Sequence, residues 1–177
     1  MSDEAVYLIR KARKDDIPQL IHMRTKLQEH MIKNNRNLWG VSKDFIRNLP
    51  AFYEHQLDHP EACLLVAYEE GTESLIGMAL GKIKHHDEYR PPKSGRIDDV
   101  WVEPMIRRHG VCEMMFSELI DFFRGFGVTS LVLEYALHNK EAEITWARLG
   151  FRPSLVISTA DIEDVSETVH ERIDSHQ

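Results

Sequence analysis

The chain has little of what staples, unravels or anchors a protein. Only two of its 177 residues are cysteine. Cys63 and Cys112 stand far apart, in segments of apolar character. They lack both zinc-site spacing and the even, clustered pattern of a disulfide framework. Buried, reduced thiols are expected at both. Nine glycines and seven prolines are too few for a collagen-like or low-complexity chain. No apolar run approaches the ~18 residues that mark a membrane span. The opening Met1-Ser2-Asp3-Glu4 is acidic where a secretory signal is basic, so a cytoplasmic protein with no membrane partner is expected. Basic residues are also outnumbered. Lys and Arg total 22 against 29 Asp and Glu, a net charge of −7, which argues against nucleic acid as a partner. Residues 161–177 alone carry −5 of that charge. The acidity therefore belongs mainly to the C-terminal segment and does not identify a cationic substrate.

What is present describes one ordinary globular domain over residues 1–177. Apolar residues make up 42% and charged residues 29%, and a chain of this length buries roughly 70% of its unfolded surface. Residues 5–10 read as a strand. Asp16, Pro18 and Gln19 then read as a helix start in which Gln19 reaches back to the cap. Ile17, Leu20, Ile21, Leu27 and Met31 form its apolar stripe to about Lys33, with the polar run 34–37 ending it. Ser42 is the expected cap of a second helix, broken or bent by Pro50.

Residues 63–68 and 75–83 read as a hairpin around Gly71. Gly77 and Gly81 mark a bulge or a close backbone contact. A polar loop spans 85–95 and a strand 96–102. A helix spans 110–126 and stops at Gly127. A strand over 129–136, a short helix from Asn139 to Leu149 and a strand over 151–159 follow. Ile162, Val165, Val169 and Ile173 favour an amphipathic helix, although the last residues also fit a strand edge. That segment has two available partners, its own domain or a second copy in a homodimer. The fold class is mixed α/β, with a predominantly antiparallel sheet flanked by helices.

The informative stretch is Val102-Glu-Pro-Met-Ile-Arg107-Arg108-His109-Gly110-Val111-Cys112. A strand ends, a basic glycine-containing turn follows, and a helix begins. Unpaired amides and the positive end of the helix dipole suit a phosphate there. Gly110 allows close backbone approach, and Arg107 and Arg108 add charge-assisted contacts. The plainer alternative is an ordinary connection with solvated arginines. No Gly-Lys-Ser/Thr follows, and two glycines of the dinucleotide fingerprint are missing.

The pattern Arg107-x-x-Gly110-x-Cys112 resembles the pyrophosphate loop of the GNAT acetyltransferase superfamily, Arg/Gln-x-x-Gly-x-Gly/Ala, with Cys112 departing at the last position. Asn139-x-x-Ala142-x-x-x-Trp146-x-x-x-Gly150-Phe151 is similar to a later helix of that family. The opening Ile9-Arg10-x-Ala12-x-x-Asp15 is similar to its first. The resemblance covers about residues 6–159. It implies a sheet splayed between the 96–102 and 129–136 strands, with acetyl-CoA as co-substrate in the cleft. It places Val102, Arg107, Arg108, His109, Gly110, Val111, Cys112 and Asn139 on the cofactor. The implied activity is transfer of acetyl to the amine of a small molecule or peptide.

Such a transfer needs a neutral amine, an oxyanion donor and stabilisation of the departing thiolate. The resemblance points to Asp98 and Asp99 near the amine and to the Val102 amide as oxyanion donor. Strand alternation puts Asp98 on the face of Val100 and Val102, with Asp99 opposite, which makes Asp98 the first candidate for base or amine anchor. The alternative is that both acids merely pair with neighbouring groups such as Arg96. Glu134 is an outside candidate.

Trp146 stands where the family has a tyrosine that protonates sulfur. An indole N–H donates but does not titrate usefully. Tyr135 is the substitute acid if it faces the cleft. Asn139 and Trp146 each have a plainer role, in helix capping and in core packing. Trp39, Phe52 and Tyr53 either wall the acceptor or fill the core. His55/His59 and His85/His86 lack a third ligand, so no metal site is expected. Direct transfer in a ternary complex is the leading expectation. Its rivals are a non-catalytic acetyl-CoA sensor, favoured by Trp146, and a binder of another nucleotide.

Overall fold

The computed structural model describes residues 5–34 and 39–175. Strand β1 (Tyr7–Lys11) leads through a 3-10 turn (Lys14–Asp16) into α1 (Ile17–Asn34) and then α2 (Lys43–Asp58). The hairpin β2 (Ala62–Glu69) and β3 (Leu75–His85) is followed by β4 (Lys93–Val102), a 3-10 turn (Pro104–Ile106) and α3 (Val111–Gly125). Strand β5 (Leu131–Leu133), α4 (Lys140–Arg148) and α5 (Ile162–Asp174) complete the order. The strands form one sheet in sequence order, antiparallel except that β5 runs parallel to β4.

Two cores lie on opposite faces of the sheet. Met115, Leu119 and Phe123 of α3 pack on Ala79, Ile97 and Val102. Leu20 and Met23 of α1 and Leu49 and Tyr53 of α2 pack on Leu64, Met78, Leu80 and Trp101. Each such large buried side chain contributes roughly 1.5–3 kcal/mol of transfer free energy. Gly81 and Gly95 set how closely α3 approaches. A Cβ on Gly81 would meet Phe123 at 2.8 Å and Leu119 at 2.9 Å, and one on Gly95 would meet Leu131 at 2.6 Å. Gly77 is also a close contact, since its Cβ would lie 3.0 Å from the Trp101 carbonyl oxygen.

Four sequence expectations are corrected. Residues 151–160 form no strand. The short β5 has no ladder with them, and Leu155, Val156 and Ile157 stay exposed; strand propensity without a partner edge makes no strand. Pro50 lies inside α2 without ending it. The missing Pro50 N–H costs one bond, while the apolar face of Phe45, Leu49, Phe52 and Tyr53 keeps its packing. Ser42 precedes α2 but makes no side-chain cap bond. Gln19 does not turn back to a cap either. It donates to the Glu73 carbonyl at 3.1 Å and accepts from the Leu75 amide at 2.9 Å, tying α1 to the β2–β3 turn.

Helix α5 forms as the apolar spacing predicted, and Ile162, Val165, Val169 and Ile173 on it are exposed. Residues 35–37 of the polar run expected to end α1 lie outside the described residues. No described helix is long and apolar enough to cross a membrane.

Asp16 closes the start of α1. Its carboxylate accepts from Arg10 Nη1 at 2.6 Å, Arg10 Nη2 at 2.9 Å and the Arg13 amide at 2.7 Å. Burial alone would raise its pKa, but those bonds lower it below the ordinary carboxylate value. The stabilisation is therefore present above the unfolded pKa and lost as pH falls through the folded one. Asp16→Asn should cost about 2 kcal/mol at pH 7. In urea titrations the gap to wild type should hold at neutral pH and narrow below about pH 4. A gap independent of pH would contradict the assignment.

Candidate functional site

Strands β4 and β5 pair only at Gly95–Leu131, Arg96–Val132 and Ile97–Leu133. Beyond Ile97, β4 runs on to Val102 with a neighbour on one side only. The sheet is thus splayed at the place the resemblance implied. A cavity of about 1320 Å³ occupies the gap and extends between α1, α2, the α3 start and α4. The Glu103 amide donates to the Ile76 carbonyl at 2.8 Å. Because successive residues point to opposite edges of a strand, the N–H and C=O of Val102 face the open side. Arg107 Nε donates to that carbonyl at 3.0 Å.

The turn after β4 becomes an anion seat through two left-handed residues. Arg108 has φ 69° and Gly110 has φ 79°. A Cβ on Gly110 would meet nothing within 4 Å, so the backbone angle, not space, calls for glycine there. The first helical bond of α3 runs from the Met114 amide to the Gly110 carbonyl at 2.9 Å. The amides of Val111, Cys112 and Glu113 precede it and have no helical acceptor.

Val102, Arg107, Arg108, Val111, Cys112 and Asn139 line the cavity, as do Asp98, Asp99, Tyr135 and Trp146. His109 and Gly110 do not. The His109 Nδ1 lies 3.1 Å from both the Ile106 and Arg107 carbonyl oxygens, and its ring meets Tyr7 edge-on. Arg107 also pairs with Glu141 of α4 at 2.6 Å and lies over the Trp101 ring.

The two aspartates do not alternate. The β3–β4 register shifts so that Ala79 faces Val100 and Gly81 faces Ile97, leaving Leu80 opposite both Asp98 and Asp99. This bulge turns both carboxylates toward α1 and α2. The expected sharing of a face by Asp98, Val100 and Val102 is therefore wrong; the valines pack on the α3 side. Asp98 is held by Lys82 at 2.5 Å and Arg96 at 2.6 Å. Asp99 is held by Arg24 Nε at 3.0 Å and accepts from the Tyr53 hydroxyl at 3.3 Å. Burial pushes the Asp99 carboxyl up against the pull of Arg24, and burial beside Asp99 pushes the Tyr53 phenol up.

Asn139 caps α4, with Oδ1 accepting from the Ala142 amide at 3.1 Å. That bond orients its amide, so Nδ2 donates across the cleft to His30 Nε2 at 3.1 Å. Trp146 packs on Phe116 and Phe151 while lining the cavity. Trp39 and Phe52 also line it, whereas Tyr53 is core with its hydroxyl on Asp99.

Sequence reasoning missed Arg24, His30 and Lys82. Lys82 left a signal, the first cation after the apolar run 75–81 of its strand. Arg24 and His30 left none, because their role depends on where α1 lies across the bulge. His85 bonds Glu61 and His86 bonds Ser94. Among the described residues no group of three or more His, Cys, Asp or Glu is placed to hold a metal ion.

The model of the acetyltransferase (GNAT) family matches residues 25–151. The chain belongs to the GNAT acetyltransferase family. No curated protein matches it by sequence. Solved GNAT-type folds superpose over nearly their full length. A predicted acetyltransferase with acetyl-CoA from Clostridium acetobutylicum has a TM-score of 0.70 at 17% identity, covering 90% of this chain and 98% of that one. An aminoglycoside N-acetyltransferase, AAC(6')-Iy, in complex with CoA has a TM-score of 0.72 at 17% identity, covering 92% and 99%. Glucosamine-6-phosphate N-acetyltransferase from Arabidopsis thaliana has a TM-score of 0.66 at 16% identity, covering 89% and 99%. At these identities the likeness establishes the fold of this GNAT chain, not its acceptor.

Burial, with a contribution from Glu113, pushes the Cys112 thiol up to about 12. Thiolate, the reactive form, is then scarce at pH 8. Iodoacetamide at pH 8 should leave Cys112 of the native protein unmodified under conditions that fully alkylate free cysteine, and should label it after unfolding. The thiol is half-buried, not fully buried as expected. Rapid labelling of native Cys112, read by peptide mass spectrometry, would contradict its raised pKa.

Proposed function

We propose that this protein is an acetyl-CoA-dependent N-acetyltransferase that moves acetyl to a primary amine by direct attack in a ternary complex. The observation that carries the reading is the open edge of β4 running straight into the glycine-containing amide turn. An extended pantetheine arm adds to that edge as a further strand would, and a diphosphate suits the leading amides of α3 and the Arg107 and Arg108 side chains. Arg107 leaves Glu141 to do so. Asn139 serves the same arm from the opposite wall.

The donor supplies an acyl group on a thiol leaving group. The rest falls to this chain. Val102 presents its amide to the developing oxyanion. Asp98 is already neutralised by Lys82 and Arg96, so it anchors the amine by accepting its N–H, and the proton that nitrogen sheds on acylation passes to water. Trp146 donates an indole hydrogen bond toward sulfur without protonating it. A thiol of pKa about 8.5 leaves adequately as thiolate, so the loss of the family tyrosine is compatible with turnover; Tyr135, which lines the cavity, is the candidate to assist. Cys112 lies in the phosphate turn and carries no acyl group. A single-domain cytoplasmic enzyme fits this reading. A non-catalytic acetyl-CoA sensor is the second reading, favoured by Trp146 itself.

Release of free thiol from acetyl-CoA, dependent on added amine, separates the two. We expect transfer with kcat/KM rising between pH 7 and 9 as the amine loses its proton, and Cys112→Ala should retain it. Gly110→Ala should raise the Kd for acetyl-CoA roughly tenfold, because a Cβ at positive φ costs about 1–2 kcal/mol. Acetyl-CoA binding without transfer to any amine would favour the sensor. An acetylated enzyme lost in Cys112→Ala would overturn direct attack.

A further inference from the structure

The acceptor half of the cavity has an unusual charge balance. Its carboxylates are Asp98 and Asp99 on the bulge and Glu134 at the end of β5. All are committed: Asp98 to Lys82 and Arg96, Asp99 to Arg24, and Glu134 to Arg96 at 3.1 Å. Among the described residues, the cations that face these carboxylates, Arg24, Lys82 and Arg96, are the partners in those same pairs. Two of them also cover aromatic faces. Arg24 sits 4.8 Å from the Phe45 ring centroid and Lys82 sits 5.9 Å from that of Phe52. Among the described residues the charged groups of the acceptor half thus pair with one another before any ligand arrives, while the indole N–H of Trp39 on its wall is buried without a partner. The apolar wall is Leu27, Met31, Trp39, Val41, Phe45 and Phe52, with the neutral polar side chains of Ser42 and Asn48 and the His30 ring beside it.

Each class of acceptor meets this wall differently. A polycation needs free carboxylates; here it would meet neutralised ones beside three fixed cations, and like charges in a partly desolvated site repel. A phosphorylated or carboxylated amine needs a free cation; taking Arg24 would strand the buried Asp99 as an unpaired charge, and taking Lys82 or Arg96 would break a pair on Asp98. A single amino group on an apolar body makes neither demand. Its amine hydrogen-bonds Asp98, while its carbon skeleton buries against aromatic and aliphatic side chains.

Resting on the acetyltransferase reading above, we infer that the acceptor is a monoamine on an uncharged aromatic or aliphatic body, not a polyamine, an aminoglycoside or an amino-sugar phosphate. Trp39, Phe45 and Phe52 determine the specificity. They set KM for the acceptor and do not touch the donor seat at the α3 start.

The test uses the full chain and two readouts with six amines: 2-phenylethylamine, tryptamine, hexylamine, spermidine, kanamycin and glucosamine-6-phosphate. The first readout is amine-dependent thiol release. The second is acceptor binding in the presence of saturating CoA, by calorimetry, which needs no turnover. The apolar monoamines should bind saturably and exceed the other three at least tenfold in kcat/KM. Phe45→Ala and Phe52→Ala should raise KM for 2-phenylethylamine at least fivefold, with the Kd for acetyl-CoA unchanged; that unchanged Kd also reports that the variants are folded. Tighter binding or faster acetylation of spermidine, kanamycin or glucosamine-6-phosphate would overturn the inference. So would binding of none of the apolar amines, or phenylalanine variants that leave KM unmoved. Failure of acetyl-CoA itself to bind the wild-type chain would instead overturn the donor site.

Discussion

The structure depends on a hydrogen-bonding vacancy. Strand β4 spends its first half between two neighbours and its second half with one. A backbone N–H or C=O without a partner is tolerated only where water or a ligand supplies one. The parting of β5 after Leu133 therefore creates a row of donors and acceptors along a cleft, not merely a gap. Everything with chemical potential is arranged around that row. The bulge at its start brings in two carboxylates, Val102 closes it with both backbone groups facing outward, and the left-handed turn beyond adds the first amides of α3.

The same divergence explains why the two faces of the sheet differ. On the α3 side, Gly81 and Gly95 let helix and strands meet with nothing between them, so that face is closely packed there. On the α1/α2 side the bulge forces charge inward. The charges are compensated there by cations drawn from α1, β3 and β4 themselves. Arg24 and Tyr53 on Asp99, with Lys82 and Arg96 on Asp98, form a polar layer, buried at Asp99 and half-buried at Asp98, in which each member has a partner. That completeness makes the layer compatible with an aromatic acceptor wall, because a half-satisfied network would cost more than it contributes.

Much of this was legible in the chain. The 3.6-residue spacing of Ile17, Leu20 and Leu27 and of Val111, Met115 and Leu119 announced two packed helices. Gly110 after Arg107 and Arg108 announced the turn, and Asn139 announced the α4 cap. Other features were hidden for physical reasons. Simple alternation separates Asp98 from Asp99, and only the register against β3 reveals that Leu80 faces both. The 151–159 stretch has strand-forming residues, but a strand requires an edge to pair with, and β5 is too short to provide one. Pro50 suggests a broken or bent helix because the rule concerns local bonds; α2 runs through it, held by its buried face. Arg24 and His30 lie on α1 with no motif around them, and their significance comes from what faces them across the cleft.

Amide hydrogen exchange with and without acetyl-CoA tests the central claim most directly. The account predicts slowed exchange in the 98–102 stretch of β4 and in residues 108–113, where the donor would supply the missing partners. Unchanged exchange in both segments, at a concentration where calorimetry reports acetyl-CoA bound, would place the donor elsewhere and contradict it.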